Sequence, residues 1–240
     1  MELELFAAEE EQALLATVYA ATPAPPEFGD TLLRSIGGLN SVCWIEQPGG
    51  RRTTWGSKAV TYRVGEYSFR VSHDAFFQTN RFLHERMIQE VVGEAEGARA
   101  LDLFAGVGFF ALPLARRFGK IAAVESQDAS ARDLAANVAK TGRRARAHHK
   151  TAEGFLAATS HNWDLVVVNP PRSGLSKTVC EHLRRLAAPR LVYVSCDPTT
   201  LARDLARLTP SPYQIRSVCL VDQFPQTFHI ETVVHLERAG

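Results

Sequence analysis

At 240 residues the chain has room for one large domain, or a domain with an appendage, and enough length to bury a core of its own. With 45% apolar and 22% charged residues the composition is ordinary, and a formal net charge of +1 announces no polyanionic partner, so a nucleic acid would have to be gripped by a local patch or a separate module. Four scattered cysteines (Cys43, Cys180, Cys196, Cys219), without a CxxC pair or histidines at ligand spacing, argue against a disulfide framework, a metal or an iron–sulfur cluster. No apolar run exceeds strand length and the acidic start, MELELFAAEEEQ, is unlike a signal peptide, which predicts a cytoplasmic protein with no membrane contact.

The first twenty or so residues read as helical, and TPAPPEFGD at 22–30 as a Pro-rich break. From Leu39 to Val71 short alternating segments, SVCWIE, AVTYRV and YSFRVS, predict a small β-rich region. A helix is expected over Phe82–Val92 from the spacing of Phe82, Met87, Ile88, Val91 and Val92. From Arg99 onward strands alternate with helices: ARALDLF, KIAAVE, ARAHHK, DLVVVN and RLVYVS are each followed by a helical segment, which implies a parallel sheet. YQIRSVCLV and HIETVVHLE are joined only by a turn and should close one edge as an antiparallel hairpin. The expected fold is α/β, a mostly parallel seven-stranded sheet of the class I, Rossmann-like type. Residues 73–240 form that domain and residues 1–72 a partly β N-terminal region.

In LDLFAGVGFFALPLA, residues 101–115, a strand runs through a glycine turn into a helix, which lets backbone amides approach a ligand closely. Gly106, Gly108 and Ala111 satisfy a dinucleotide pattern, so the turn alone does not separate a nicotinamide cofactor from S-adenosylmethionine. Glu125 ends the next strand, where a carboxylate can accept both hydroxyls of a ribose, and Asp102 lies one strand away at the same edge. VVVNPPRSGL then holds Asn169 at a strand end before two prolines that fix their own φ. Arg172 beyond them is either a surface charge or a partner for an anion.

VYVSCDPTTLARD puts Cys196 at the mouth of a strand, before a helix starting at Pro198 with Asp197 as its cap. Exposure and the helix terminus there favour thiolate, against the alternative that the cysteine is buried filler. The final hairpin returns His229 and Glu231 to this rim, expected on one strand face. A thiol, a carboxylate and a cofactor loop on one edge suit methyl transfer to carbon 5 of a pyrimidine. Thiolate addition at carbon 6 makes carbon 5 nucleophilic, and a base then removes the carbon-5 proton.

Taken together, FFQTN (76–80), DLFAGVG (102–108), NPPRSGL (169–175), SCDPTTLARD (195–204) and FPQTFHIE (224–231) resemble the S-adenosylmethionine-dependent RNA 5-methyluridine methyltransferases, which act on tRNA or large-subunit rRNA. The resemblance implies Cys196 as nucleophile, Glu231 as general base, and cofactor contacts from Gln78, Phe104, Gly106, Gly108 and Glu125. Asn169 stands where the family has Asp, keeping an acceptor oxygen without the charge. The family's N-terminal OB-fold-like RNA-binding domain is not expected in residues 1–72. Phosphate contacts would then fall to Arg51, Arg52, Lys58 and Arg81, or to a partner chain. Two other readings fit less of the sequence: an amino-methyltransferase using the Asn-Pro-Pro loop, and a cofactor-binding protein inactive without a partner.

Overall fold

The structure, a computed structural model, describes residues 1–8, 12–142, 144–209 and 211–239, and divides into two units, Met1–Phe76 and Phe77–Gly240.

In the first unit β1 (Glu2–Ala8) and β2 (Ala13–Ala20) pair antiparallel, in place of the helix expected there; residues 9–11 of that expectation lie outside the described residues. Alanine and glutamate content suggests helix, but Glu2-Leu3-Glu4-Leu5 alternates with period two and Thr17-Val18-Tyr19 is β-branched and aromatic. Pairing with a neighbouring strand outweighs the weak local propensity of so short a segment. β2 runs parallel to β3 (Leu39–Glu46), and β4 (Arg52–Gly56), a strand missed in the sequence, completes the order β1-β2-β3-β4. The crossover between β2 and β3 contains α1 (Phe28–Ser35), also unforeseen. Its Gly29 lies so close to Trp55 that a Cβ there would fall 2.1 Å from the indole ring. β5 (Ala59–Val64) and β6 (Tyr67–Ser72) form a separate hairpin.

The second unit opens with a short 3-10 turn and α2 (His84–Val91). Met87, Val91 and Val92 are buried as the helical spacing predicts, whereas Phe82 is 81% exposed and belongs to the turn. There follow β7 (Gly97–Leu103), α3 (Ala111–Arg117), β8 (Phe118–Glu125), α4 (Asp128–Ala139), β9 (Ala145–His149), α5 (Ala152–Ala158), β10 (Leu165–Val168), α6 (Lys177–Leu186), β11 (Arg190–Ser195), α7 (Pro198–Leu208), β12 (Tyr213–Val221) and β13 (Glu231–Arg238). The sheet order is β12-β13-β11-β10-β7-β8-β9, with β7 to β11 mutually parallel and β13 antiparallel between β11 and β12. The seven-stranded α/β architecture expected from the alternation is therefore present. β10 is buried throughout, as a central parallel strand covered on both faces must be, and reads as a continuous apolar run, LVVV. Phe155, Leu156, Val179, Leu183, Leu201 and Leu208 from α5, α6 and α7 pack with the inward residues of β7, β10 and β11 into one continuous core. Removing any of these side chains from water contributes roughly 1.5–3 kcal/mol. No helix among the described residues is long and apolar enough to cross a membrane, and no described cluster of His, Cys, Asp or Glu could hold a metal ion.

Candidate active site

The carboxyl ends of the parallel strands gather most of the residues singled out in the sequence. At the end of β7 the chain turns through Phe104, which adopts a left-handed φ of 59°, followed by Gly106 at 55° and Gly108 at 98°. A left-handed phenylalanine is held against its local preference. The turn is tied down from three sides: Ala105 N–H donates to the Val124 carbonyl (3.0 Å), Gly106 N–H to Glu125 Oε2 (2.9 Å), and the Asn137 side-chain amide to the Val107 carbonyl (2.9 Å). Gly108 also leaves no room for a side chain, since a Cβ would meet Leu134 Cδ1 at 3.0 Å.

Glu125, half-buried at the end of β8, also accepts from the amides of Ser126 and Gln127 (both 2.7 Å) through Oε1. Three of its roughly four acceptor sites are thus occupied by the protein itself. A ligand diol binding through both hydroxyls would have to displace an amide, a constraint invisible in the sequence.

Beneath the turn, Asp102 is fully buried; the Ala111 amide approaches its carboxylate without forming a well-aligned hydrogen bond to either oxygen. Burial, then the neighbouring Glu125, push its pKa up to about 8, only partly offset by the Ala111 amide. Orphaned polar atoms are costly inside a protein, and at this position they fit a site that receives a polar ligand.

Gln78 is buried, and its carbonyl accepts from His84 Nε2 at 2.8 Å. Phe77 beside it packs edge-on against His84 and Phe109, with centroids 5.3 and 5.5 Å apart, which links FFQTN to the end of the glycine turn, just before α3. Asn169 is half-buried just past β10, its amide donating to the Leu103 carbonyl at 3.3 Å.

Cys196 and Glu231 come together through strand register. Ser195, the last residue of β11, pairs with Thr232 of β13, so the next residue of one strand and the preceding residue of the other are neighbours. Glu231 is buried, and burial pushes its pKa up to about 7. Cys196 is half-buried, and burial followed by the Glu231 carboxylate pushes its thiol up, while Arg172 pulls it back through charge and a hydrogen bond. The expectation of a thiolate favoured by exposure and the helix terminus is thereby corrected: partial burial beside an acid outweighs the start of α7. The cap itself is formed as read from the sequence, with Asp197 accepting from Thr200 N–H at 2.7 Å and Pro198 in the first turn. His229 lies before β13 rather than in it, stacked on Phe228 with centroids 4.1 Å apart, so it does not share a strand face with Glu231.

Three residues quoted in a motif but given no task, Thr200, Arg203 and Asp204, prove central. Asp204 is fully buried and accepts from Leu175 N–H (2.7 Å), Tyr193 O–H (2.9 Å), Arg203 Nε (2.9 Å) and Arg207 Nη1 (3.2 Å). Arg203 also donates to the Ser173 carbonyl at 2.8 Å, and Thr200 O–H to that of Arg172 at 3.1 Å. TTLARD thus fastens the loop that carries Arg172. The signal was available: Leu201, Asp204, Leu205 and Leu208 fall on one helical face, an acid within an apolar stripe.

A glycine turn after the first strand of a mostly parallel sheet, with an antiparallel strand inserted beside the fifth, defines a Rossmann-like methyltransferase fold. Residues 58–159 and 143–239 match the profile of the tRNA (Uracil-5-)-methyltransferase family, and the chain belongs to that family. It is 37% identical over 176 residues to the 23S rRNA (uracil(1939)-C(5))-methyltransferase of Halomonas elongata, covering 68% of this chain and 36% of that one. It is 30% identical over 227 residues to the tRNA (uracil(54)-C(5))-methyltransferase of Pyrococcus horikoshii, covering 92% and 53%. Among solved structures, the Pyrococcus abyssi tRNA (uracil-54, C5)-methyltransferase in complex with S-adenosyl-L-homocysteine superposes with a TM-score of 0.81 at 25% identity, over 98% of this chain and 59% of that one. The chain spans about half the length of the curated relatives it matches.

Proposed function

We propose that the protein transfers a methyl group from S-adenosylmethionine to carbon 5 of a uridine in tRNA or rRNA, with Cys196 as nucleophile and Glu231 as general base. The observation that carries this reading is the Cys196–Glu231 pair, set by the Ser195–Thr232 register on the edge that also bears the glycine turn.

The residues present fit the cofactor. Asp102 offers unfilled acceptors, Glu125 one remaining acceptor site, and the Phe104–Gly108 turn a closely approachable backbone, with Gln78 and Asn169 completing the set. When bound, the cofactor supplies an electrophilic sulfonium methyl.

Cys196, its proton given up to solvent, adds as thiolate through sulfur to carbon 6 of the uracil, pushing the ring electrons toward carbon 5. Arg172, already against the thiol, stabilises the thiolate that the Glu231 charge disfavours. Once carbon 5 has gained the methyl, Glu231 takes the carbon-5 proton, the electron pair re-forms the ring double bond, and the carbon–sulfur bond breaks to return the thiolate. A carboxylate whose pKa is about 7 is suited to this task near neutrality, since it is basic enough to accept the proton and still substantially ionised.

The test is incubation of the purified protein with unmodified tRNA and 23S rRNA fragments and S-adenosylmethionine, followed by nucleoside mass spectrometry and denaturing gels. 5-Methyluridine is expected with wild type and absent with Cys196→Ala, and Glu231→Gln is expected to retain an RNA–protein adduct on the gel. Methylation that survives Cys196→Ala, or cofactor binding without product on any RNA, would overturn the reading.

A further inference from the structure

β9 is the edge strand farthest from the hairpin, four strand steps or roughly 19 Å from β11. Arg146 and His148 share one face of this strand by its period of two, and Arg144 just before it and Lys150 at the bend just after it border the same cleft. Together with α5, Trp163 and the neighbouring strands they border a cleft of about 520 Å³, within the range that holds a ligand. Five cations line it, Arg99, Lys120, Arg144, Arg146 and Lys150, and no acid does. None of the five is ion-paired among the described residues. Nearby carboxylates are committed elsewhere, Asp164 to the amides of Ala98 and Arg99 and Glu153 to the Ser176 hydroxyl.

Of the four cations considered from the sequence, Lys58 has no ion pair among the described residues and the other three are engaged. Arg52 is ion-paired with Asp74, Arg51 lies 3.9 Å from Glu46, and Arg81 sits over the Phe82 ring. In a chain of net charge +1, the β9 cleft is therefore a concentration of uncompensated positive charge. Two of its rings reach the surface: His161 is exposed, 5.9 Å from the buried Trp163, and His148 is half-buried, 4.9 Å from the buried Phe155. Beneath them the Trp163 indole N–H and Thr159 hydroxyl have no partner among the described residues.

A row of cations beside the exposed His161 ring matches a single nucleic-acid strand, whose phosphates meet the charges while a base stacks on the imidazole. An acidic polypeptide would use the charges and leave the rings idle. We propose that this cleft is an RNA-binding site remote from the methylated base, taking a single-stranded segment of the substrate with its phosphates on Arg144, Arg146 and Lys150. The inference rests on the reading of the protein as an RNA-modifying enzyme.

Binding of labelled unmodified tRNA and of a short labelled oligoribonucleotide, followed by fluorescence anisotropy across a salt series, tests it without turnover. The double variant R146E/K150E is expected to bind at least about tenfold more weakly. Its salt dependence should be shallower by about 0.7 in the log–log slope for each phosphate that is no longer neutralised, with S-adenosylmethionine affinity unchanged. Arg146→Lys, which keeps the charge, should bind nearly as wild type, and ultraviolet cross-linking should place RNA on the peptide containing His161 and Trp163. A folded R146E/K150E that binds RNA like wild type overturns the site, as does a wild type that binds no RNA, or one that prefers poly-glutamate. If RNA binding depends on the cleft but no 5-methyluridine forms, the methyl-transfer reading fails and the cleft stands. If methylation proceeds unaffected by the charge reversal, the methyl-transfer reading stands and the cleft is overturned.

Discussion

Two aspartates in the same unit are equally buried and differently served. Asp204 on α7 collects donors from a backbone amide, a tyrosine and two arginines, whereas Asp102 at the end of β7 has no well-aligned hydrogen bond on either oxygen. The first is part of the scaffold, and its hydrogen bonds fix the loop that brings Arg172 to Cys196. The second bears the desolvation cost of a carboxyl group offset only in part by the Ala111 amide, which is tolerable where a ligand completes the environment. Satisfaction of buried polar groups thus separates framework from binding surface more sharply than burial does.

The contrast can be broken experimentally. Asp204→Ala should cost about 2–4 kcal/mol in chemical denaturation, because it leaves the buried Tyr193 hydroxyl and Leu175 amide without an acceptor, while the half-exposed Arg203 and Arg207 can turn to water; a loss below about 1 kcal/mol would mean the network contributes little. Asp102→Asn should leave stability within about 1 kcal/mol of wild type or raise it, while S-adenosylmethionine affinity measured by calorimetry falls about tenfold, on the order of 1.4 kcal/mol. Stability loss with affinity intact would make Asp102 a framework residue after all.

The pH dependence of Asp102 has a definite sign. Its folded pKa, about 8, lies above the ordinary carboxyl value, so the native state holds a proton that the unfolded chain releases. Its contribution to stability is fully present below the ordinary carboxyl range and is lost as pH rises toward 8.

A third expected effect lies in the first unit, where the satisfied counterpart is a histidine. His73 is buried with Nδ1 2.8 Å from Thr17 Oγ1 and Nε2 2.7 Å from Ser41 Oγ, and burial followed by Arg52 lowers its pKa to about 4. The unfolded chain protonates this residue first, so stability should fall between pH 6.5 and about 4, by at most about 1.4 kcal/mol per pH unit. His73→Gln should flatten that part of a denaturation-versus-pH curve; an unchanged slope would assign it to other groups.

Much of this site was readable in the sequence because its residues sit at strand ends, where period and turn chemistry are least ambiguous. Cys196 after RLVYVS and Glu231 at the start of HIETVV needed only the antiparallel return of the last strand to be placed together. The charge states were not readable, since they depend on how deeply Glu231 is covered and on Arg172 arriving from a third loop. The N-terminal strands were misread for a related reason: the partners that make residues 2–8 and 13–20 extended are other strands, invisible in a local window.

The position of β13 has a consequence for the order in which the molecule can assemble. The glycine turn is built from β7, β8 and α4, which lie close together in the chain, so it can mature early and locally. The thiol of Cys196 meets the Glu231 carboxylate only when the last strand slots between two others already laid down. A half-folded molecule can therefore hold its glycine turn while its sulfur stays unmatched, and the Cys196–Glu231 pair forms as the closing event of folding.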